Sequence, residues 1–139
     1  MELDDFYLHV GKLICYFQCI ESDIKSIYAG MLSGDYDKNL AKVSEWSLGQ
    51  AVNALESLDH SDNNYFLEVE DYKLLKEITD MRNFYAHNCY TKFAYVERDI
   101  EHYMALDKAG KRIINDFNRI NKFQRVVEKV RINYFKESA

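Results

Sequence analysis

The stretch LDDFYLHVGKLICYFQCIESDIKSIYAGML, residues 3–32, decides the fold. Leu3, Tyr7, Val10, Leu13, Ile14, Phe17, Ile24, Tyr28 and Met31 recur at spacings of three and four, which stacks them along one face of an α-helix. The spacing predicts a single helix from Leu3 to Leu32. Gly30, Ser33, Gly34 and Asp35 supply its stop. A second stripe, formed by Leu8, Cys15, Cys19, Ser22 and Ser26, is made mostly of small side chains. Such a stripe lets another helix approach closely, whether from the same chain or from a second copy.

After a polar link comes Trp46-Ser47-Leu48-Gly49-Gln50-Ala51. Ser47 and Gln50 have the spacing of a capping box, in which the hydroxyl accepts from the amide three residues on and the Gln side chain reaches back. Trp46 and Ala51 stand where a hydrophobic staple would. A helix is expected from Leu48 to Leu58, and His60-Ser61-Asp62-Asn63-Asn64 reads as a loop. Leu74, Ile78, Met81 and Tyr85 form the apolar stripe of a third helix, from Leu67 to Ala86, which stops near Asn88. The last helix is expected from Ala94 to Ile132, with a bend at Gly110. Leu106, Ala109, Ile113, Phe117, Ile120, Phe123 and Val127 share one face of it, and Lys108, Lys111, Lys122, Arg125 and Lys129 share the opposite one. These stretches predict an all-α fold, an antiparallel bundle of four to five helices in a single domain over residues 1–139.

Composition agrees. The 139 residues are 47% hydrophobic and 14% aromatic, enough for a core, which excludes a disordered chain. There is no proline and there are only 5 glycines. A turn-rich all-β fold draws on both residues, and glycine-rich phosphate loops need clustered glycines. The N-terminal MELDDFYLHV is acidic and does not read as a signal peptide, and no apolar run approaches a membrane span. Cys15, Cys19 and Cys89 make an odd count, which suits free thiols in a reducing compartment. A cytoplasmic protein without membrane association is expected.

The net charge of −5 hides an asymmetry. Residues 1–70 hold 13 acids and 4 bases, and residues 71–139 hold 10 acids and 14 bases. Between Lys108 and Lys136 there are nine bases and two acids, a local charge of +7. Lys111, Lys122, Arg125 and Lys129 are candidates to hold an RNA backbone, since phosphate contacts are electrostatic and need no sequence code. The alternative is an ordinary solvated helix face, although such faces usually mix Glu with Lys.

The stretch with chemical potential is Arg82-Asn83-Phe84-Tyr85-Ala86-His87. On an ideal helix Arg82 and His87 stand about 140° apart. A helix ending at Ala86 lets the His turn toward the Arg. The pair then sets a group that titrates near neutrality beside a permanent cation. That combination suits phosphodiester chemistry: the His moves a hydroxyl proton while the Arg holds the phosphate as its charge grows. The alternative is a surface pair at a helix end. Cys15 and Cys19 share a helix face but lack two further ligands at metal spacing, so they read as packing residues. His9, His60 and His102 fit no metal pattern, and no metal or other cofactor is implied.

Arg82-Asn83-x-x-x-His87 resembles the signature of the HEPN superfamily, an Arg, then usually Asn, Asp or His, then a His four to six residues after the Arg. Phe17-Gln18-x-Ile20-Glu21 and Ser47-Leu48-Gly49-Gln50 are similar to stretches of small HEPN-like proteins. The resemblance implies a compact helical bundle that forms a homodimer, with the two motifs meeting across the interface. It further implies a metal-independent ribonuclease of toxin–antitoxin or defence type, with RNA as substrate and an antitoxin protein as partner. Arg82 and His87 would be catalytic, Asn83 would hydrogen-bond the Arg or the phosphate, and Tyr90 would either line the cleft or pack in the core. HEPN toxins paired with minimal nucleotidyltransferase antitoxins carry a Tyr two residues after the His. Here that position is Cys89, and Tyr90 follows it. The competing function is a non-catalytic helical module that binds a partner protein or a nucleotide and keeps the motif for structure.

Overall fold

The computed structural model describes residues 1–93, 97 and 99–138. Its elements are five helices: α1 (Leu3–Met31), α2 (Tyr36–Val43), α3 (Leu48–Asp59), α4 (Val69–His87) and α5 (Ile100–Ser138). The described residues contain no strand, so the fold is all-α. The expected start of the last helix at Ala94 lies outside the described residues. Within them α5 begins at Ile100, with the Asp99 carboxylate accepting from the His102 amide at 3.1 Å.

The core is one line of α1. Phe6, Val10, Leu13, Phe17, Ile20, Ile24 and Ile27 are buried and alternate at spacings of four and three. Phe6, Ile20 and Ile27 belong to this line although none of them is in the predicted stripe, while Tyr7 is 49% exposed. The facing line of α5 contains Leu106, Ile113, Ile120, Phe123 and Val127, all buried as expected, flanked by partly buried Ala109 and Phe117. Fully burying each aliphatic side chain of this kind contributes about 1.5–3 kcal/mol, so the seam dominates the stability of the chain.

The direction of each helix follows from its cross-contacts. His9 stacks edgewise on Phe117 and Asp23 pairs with Arg131, so α1 and α5 run parallel. Tyr85 bonds Asp116 and Glu77 bonds Arg119, so α4 runs antiparallel to α5. Asp59 bonds Tyr72 and Glu56 bonds Lys76, so α3 runs antiparallel to α4. The arrangement is therefore not antiparallel throughout. Its cause is the stretch that reads in sequence as a polar link.

That stretch contains α2, which carries the chain back so that α3 starts in the same direction as α1. Asp35, expected in a helix stop, caps the next helix by accepting from the Lys38 amide at 3.0 Å. Buried Asn39 donates to the carbonyls of Ala29, Leu32 and Ser33, satisfying groups that the end of α1 leaves without helical partners. A helix of 8 residues holds too few turns for an apolar period to register.

α3 opens as expected. The Gln50 amide donates to Ser47 Oγ at 3.2 Å and the Ser47 amide donates to Gln50 Oε1 at 2.9 Å. α4 starts at Val69 rather than Leu67 because buried Asp59 captures the preceding backbone. Its carboxylate accepts from the amides of Phe66 and Leu67 and from the Tyr72 hydroxyl, at 2.8, 3.1 and 2.7 Å. α5 continues unbroken through Gly110, the position expected to bend. Gly110 packs against the start of the chain, where a Cβ would lie 3.0 Å from that of Met1.

Replacing Asp59 with Ala leaves two amides and a phenol without their partner in a buried site. Urea denaturation of Asp59→Ala is expected to show a loss of about 3 kcal/mol, against about 1 kcal/mol for Tyr72→Phe.

Candidate functional site

Gln18 and Glu21 of α1, Leu48 of α3, and Arg82 and Ala86 of α4 line one concavity of about 180 Å³, floored by Ile14 and Phe17. The three stretches singled out in the sequence thus converge. Gly49 lies close against α4: a Cβ there would sit 3.2 Å from the methyl of Thr79, which would have to give by a few tenths of an ångström. Arg82 is half-buried and donates from Nη1 to Asn83 Oδ1 at 3.2 Å. Among the described residues no carboxylate lies within ion-pair distance of its guanidinium. Glu21, in the same concavity, pairs instead with Lys25 at 3.5 Å. Arg82 therefore shares the concavity with one carboxylate, that of Glu21, but does not pair with it.

His87 does not turn toward Arg82. α4 runs through His87 and is capped by Asn88, whose amide donates to the Phe84 carbonyl at 2.8 Å. The helical offset of about 140° therefore persists. Arg82 faces α1 and α3, whereas His87 and Asn83 are exposed.

Cys89 is buried and its thiol donates to the Tyr85 carbonyl at 3.3 Å. Burial pushes that thiol above its usual range. Tyr90 packs edge-on against Phe6, Tyr7 and Phe93 and is partly buried, so it joins the core rather than the Arg82 concavity. Burial raises its phenol to about 12. Tyr85 is raised too, by burial and by its 2.6 Å bond to Asp116.

The basic face of α5 is sorted by the structure. Lys111, Lys122, Arg125 and Lys129 are exposed on the side away from the core. Lys111 pairs with Asp107 at 3.2 Å, a solvated contact that holds little energy. Lys122, Arg125 and Lys129 make no ion pair among the described residues. Three arginines of the same segment are used internally, a distinction the sequence did not reveal. Arg112 lies over the Phe84 ring at 3.8 Å, Arg119 bonds Glu77 at 2.8 Å and Arg131 meets Asp23 at 2.7 Å. Phe84 and Arg82 stand about 160° apart around α4. Since Phe84 meets α5, Arg82 points away from it, and the lysine face and the concavity lie on different sides of one chain.

Cys15, Cys19 and Ser22 are exposed, as is Leu8 at 56%. Ser26 is half-buried, and Cys15, Cys19 and Ser22 border a shallow concavity beside Gln124, Glu128 and Arg131 of α5, so the two cysteines are surface rather than packing residues. Among the described residues no helix is long and apolar enough to cross a membrane, and no three His, Cys, Asp or Glu side chains converge as a metal site. No family model, curated protein or solved structure matches the chain.

The raised phenols of Tyr72, Tyr85 and Tyr90 fix a pH dependence. Unfolded tyrosines release protons from about pH 10, while these three hold theirs in the folded state. Stability contributed by the neutral phenols is full below about pH 10 and falls as pH rises toward the folded values. Tyrosinate absorbance is expected to show three late-titrating residues, and Tyr85→Phe to flatten the alkaline loss of stability.

Proposed function

We propose that this chain is a metal-independent endoribonuclease of HEPN type that cleaves single-stranded RNA through an Arg/His site completed by a second copy. The observation that carries this reading is the half-buried Arg82, set in a concavity where three motif stretches converge and without a carboxylate partner among the described residues. The separation of Arg82 from His87 around an unbroken helix supports a composite site, in which each copy supplies what the other's Arg82 lacks.

In the proposed reaction His87 takes the proton of the ribose 2′-hydroxyl. The 2′-oxygen then bonds to phosphorus, the bond from phosphorus to the 5′-oxygen breaks, and the leaving oxygen takes its proton from the His87 imidazolium so formed. Arg82 holds the phosphate oxygens as charge accumulates, and Asn83 orients the guanidinium. The products carry a 2′,3′-cyclic phosphate, or a 3′-phosphate after water opens the ring. The lysine face of α5 would hold flanking RNA, and an antitoxin protein would cover the site in a toxin. For a monomer, the same separation of Arg82 and His87 favours a second reading, a non-catalytic module that binds an anionic partner at Arg82.

Cleavage of a labelled single-stranded RNA is expected to persist in excess chelator. His87→Ala and Arg82→Ala are each expected to lower the rate about 10²–10⁴-fold while helicity is kept. Full activity in His87→Ala, or complete loss on chelation, would overturn the mechanism. Replacing Lys122, Arg125 and Lys129 with Gln is expected to weaken RNA binding and reduce its salt slope by about 0.7 for each phosphate that is no longer neutralised.

A further inference from the structure

A second concavity lies on the opposite side of α4 from Arg82, between α4, the turn at residues 88–93 and the first half of α5. It measures about 170 Å³. An apolar protein cavity of about 150 Å³ accommodates one benzene ring. Phe84 and Ala109 form its accessible apolar wall, and Phe6 and Phe93, both buried, cross edge to face at 5.1 Å behind it. Its charged wall holds Lys92, Lys108 and Arg112. No carboxylate is among the described residues that line it, in a chain whose net charge is −5.

The charged wall is partly preorganised. Arg112 is clamped between the Phe84 ring at 3.8 Å and buried Asp116 at 3.6 Å. Nε faces Asp116, which leaves the terminal guanidinium nitrogens as donors. Asp116 itself is engaged by the Tyr85 hydroxyl at 2.6 Å. Lys92 and Lys108 are exposed and no ion pair holds either among the described residues. An aromatic wall wants an apolar ring, and two lysines without an ion pair, beside the outer edge of Arg112, want an anion. We propose that this cavity binds a small aromatic anion, one ring bearing a phosphate, sulfonate or carboxylate. The ring sits against Phe84, over the buried Phe6 and Phe93, and the anion meets Lys92, Lys108 and Arg112. The site is independent of the ribonuclease reading, because no residue assigned to that chemistry lines it.

The test is titration of the full chain with phenyl phosphate, inorganic phosphate and phenol, followed by amide chemical shifts. Phenyl phosphate is expected to bind at about millimolar concentration, with shifts centred on residues 84–93 and 106–112. Inorganic phosphate and phenol are each expected to bind at least about tenfold more weakly, since each satisfies one wall. The double variant Lys92→Gln, Lys108→Gln alters only exposed side chains. It is expected to weaken phenyl phosphate about tenfold and leave phenol unchanged, and Phe84→Leu is expected to weaken both. The proposal is overturned if phenyl phosphate fails to bind at ten times that concentration. It is equally overturned if inorganic phosphate binds as tightly, or if the double variant binds phenyl phosphate as the parent does.

Discussion

Phe6, Val10, Leu13, Phe17, Ile20, Ile24 and Ile27 form an unbroken buried line on α1, and the other helices are placed by how they cover it. α5 covers it along its length in parallel. α3 and α4 cover its other flank, and α2 closes its end. Alternation by four and three keeps a seam in register over many turns, because it averages 3.5 residues per turn and so stays facing a partner. The length of that seam explains why one chain devotes 39 residues to α5.

Three buried polar groups then fix what the apolar seam leaves free. Asp59 ties the loop before α4 to Tyr72, Asp116 ties α5 to Tyr85, and Asn39 closes the end of α1. Each is satisfied by a specific partner, and a buried polar group without one is costly. Apolar packing tolerates sliding by a turn, but these bonds do not. The bonds of Asp59 and Asp116 to Tyr72 and Tyr85 set the axial position of α4.

The consequence is that α4 borders a different concavity on each of two sides. Arg82 looks toward α1 and α3, into a wall built by Gln18, Glu21 and Leu48. Phe84 looks toward α5, where Arg112 lies over its ring. Residues two apart on a helix cannot share a face, so a motif that reads as one unit in sequence serves two concavities. The cationic lysines of α5 lie on yet another side.

The all-helical character, the capping box at Ser47, the apolar face of α5 and the outward direction of its lysines were legible in the sequence, because each depends on contacts within a few residues or on a single helical period. The short helix α2 was not, since 8 residues carry little periodicity and one of its two buried residues, Asn39, is polar. The parallel course of α1 and α5 depends on α2, which adds one reversal of the chain, and so was not legible either. Which arginines of α5 stay available was also invisible, because Glu77 and Asp23, which engage Arg119 and Arg131, come from distant parts of the chain. Tertiary structure alone placed Cys15 and Cys19 at the surface and Phe6 in the core. A helical period says which residues share a face, but the face that meets a partner is chosen by the whole set of helices competing to bury the same apolar line.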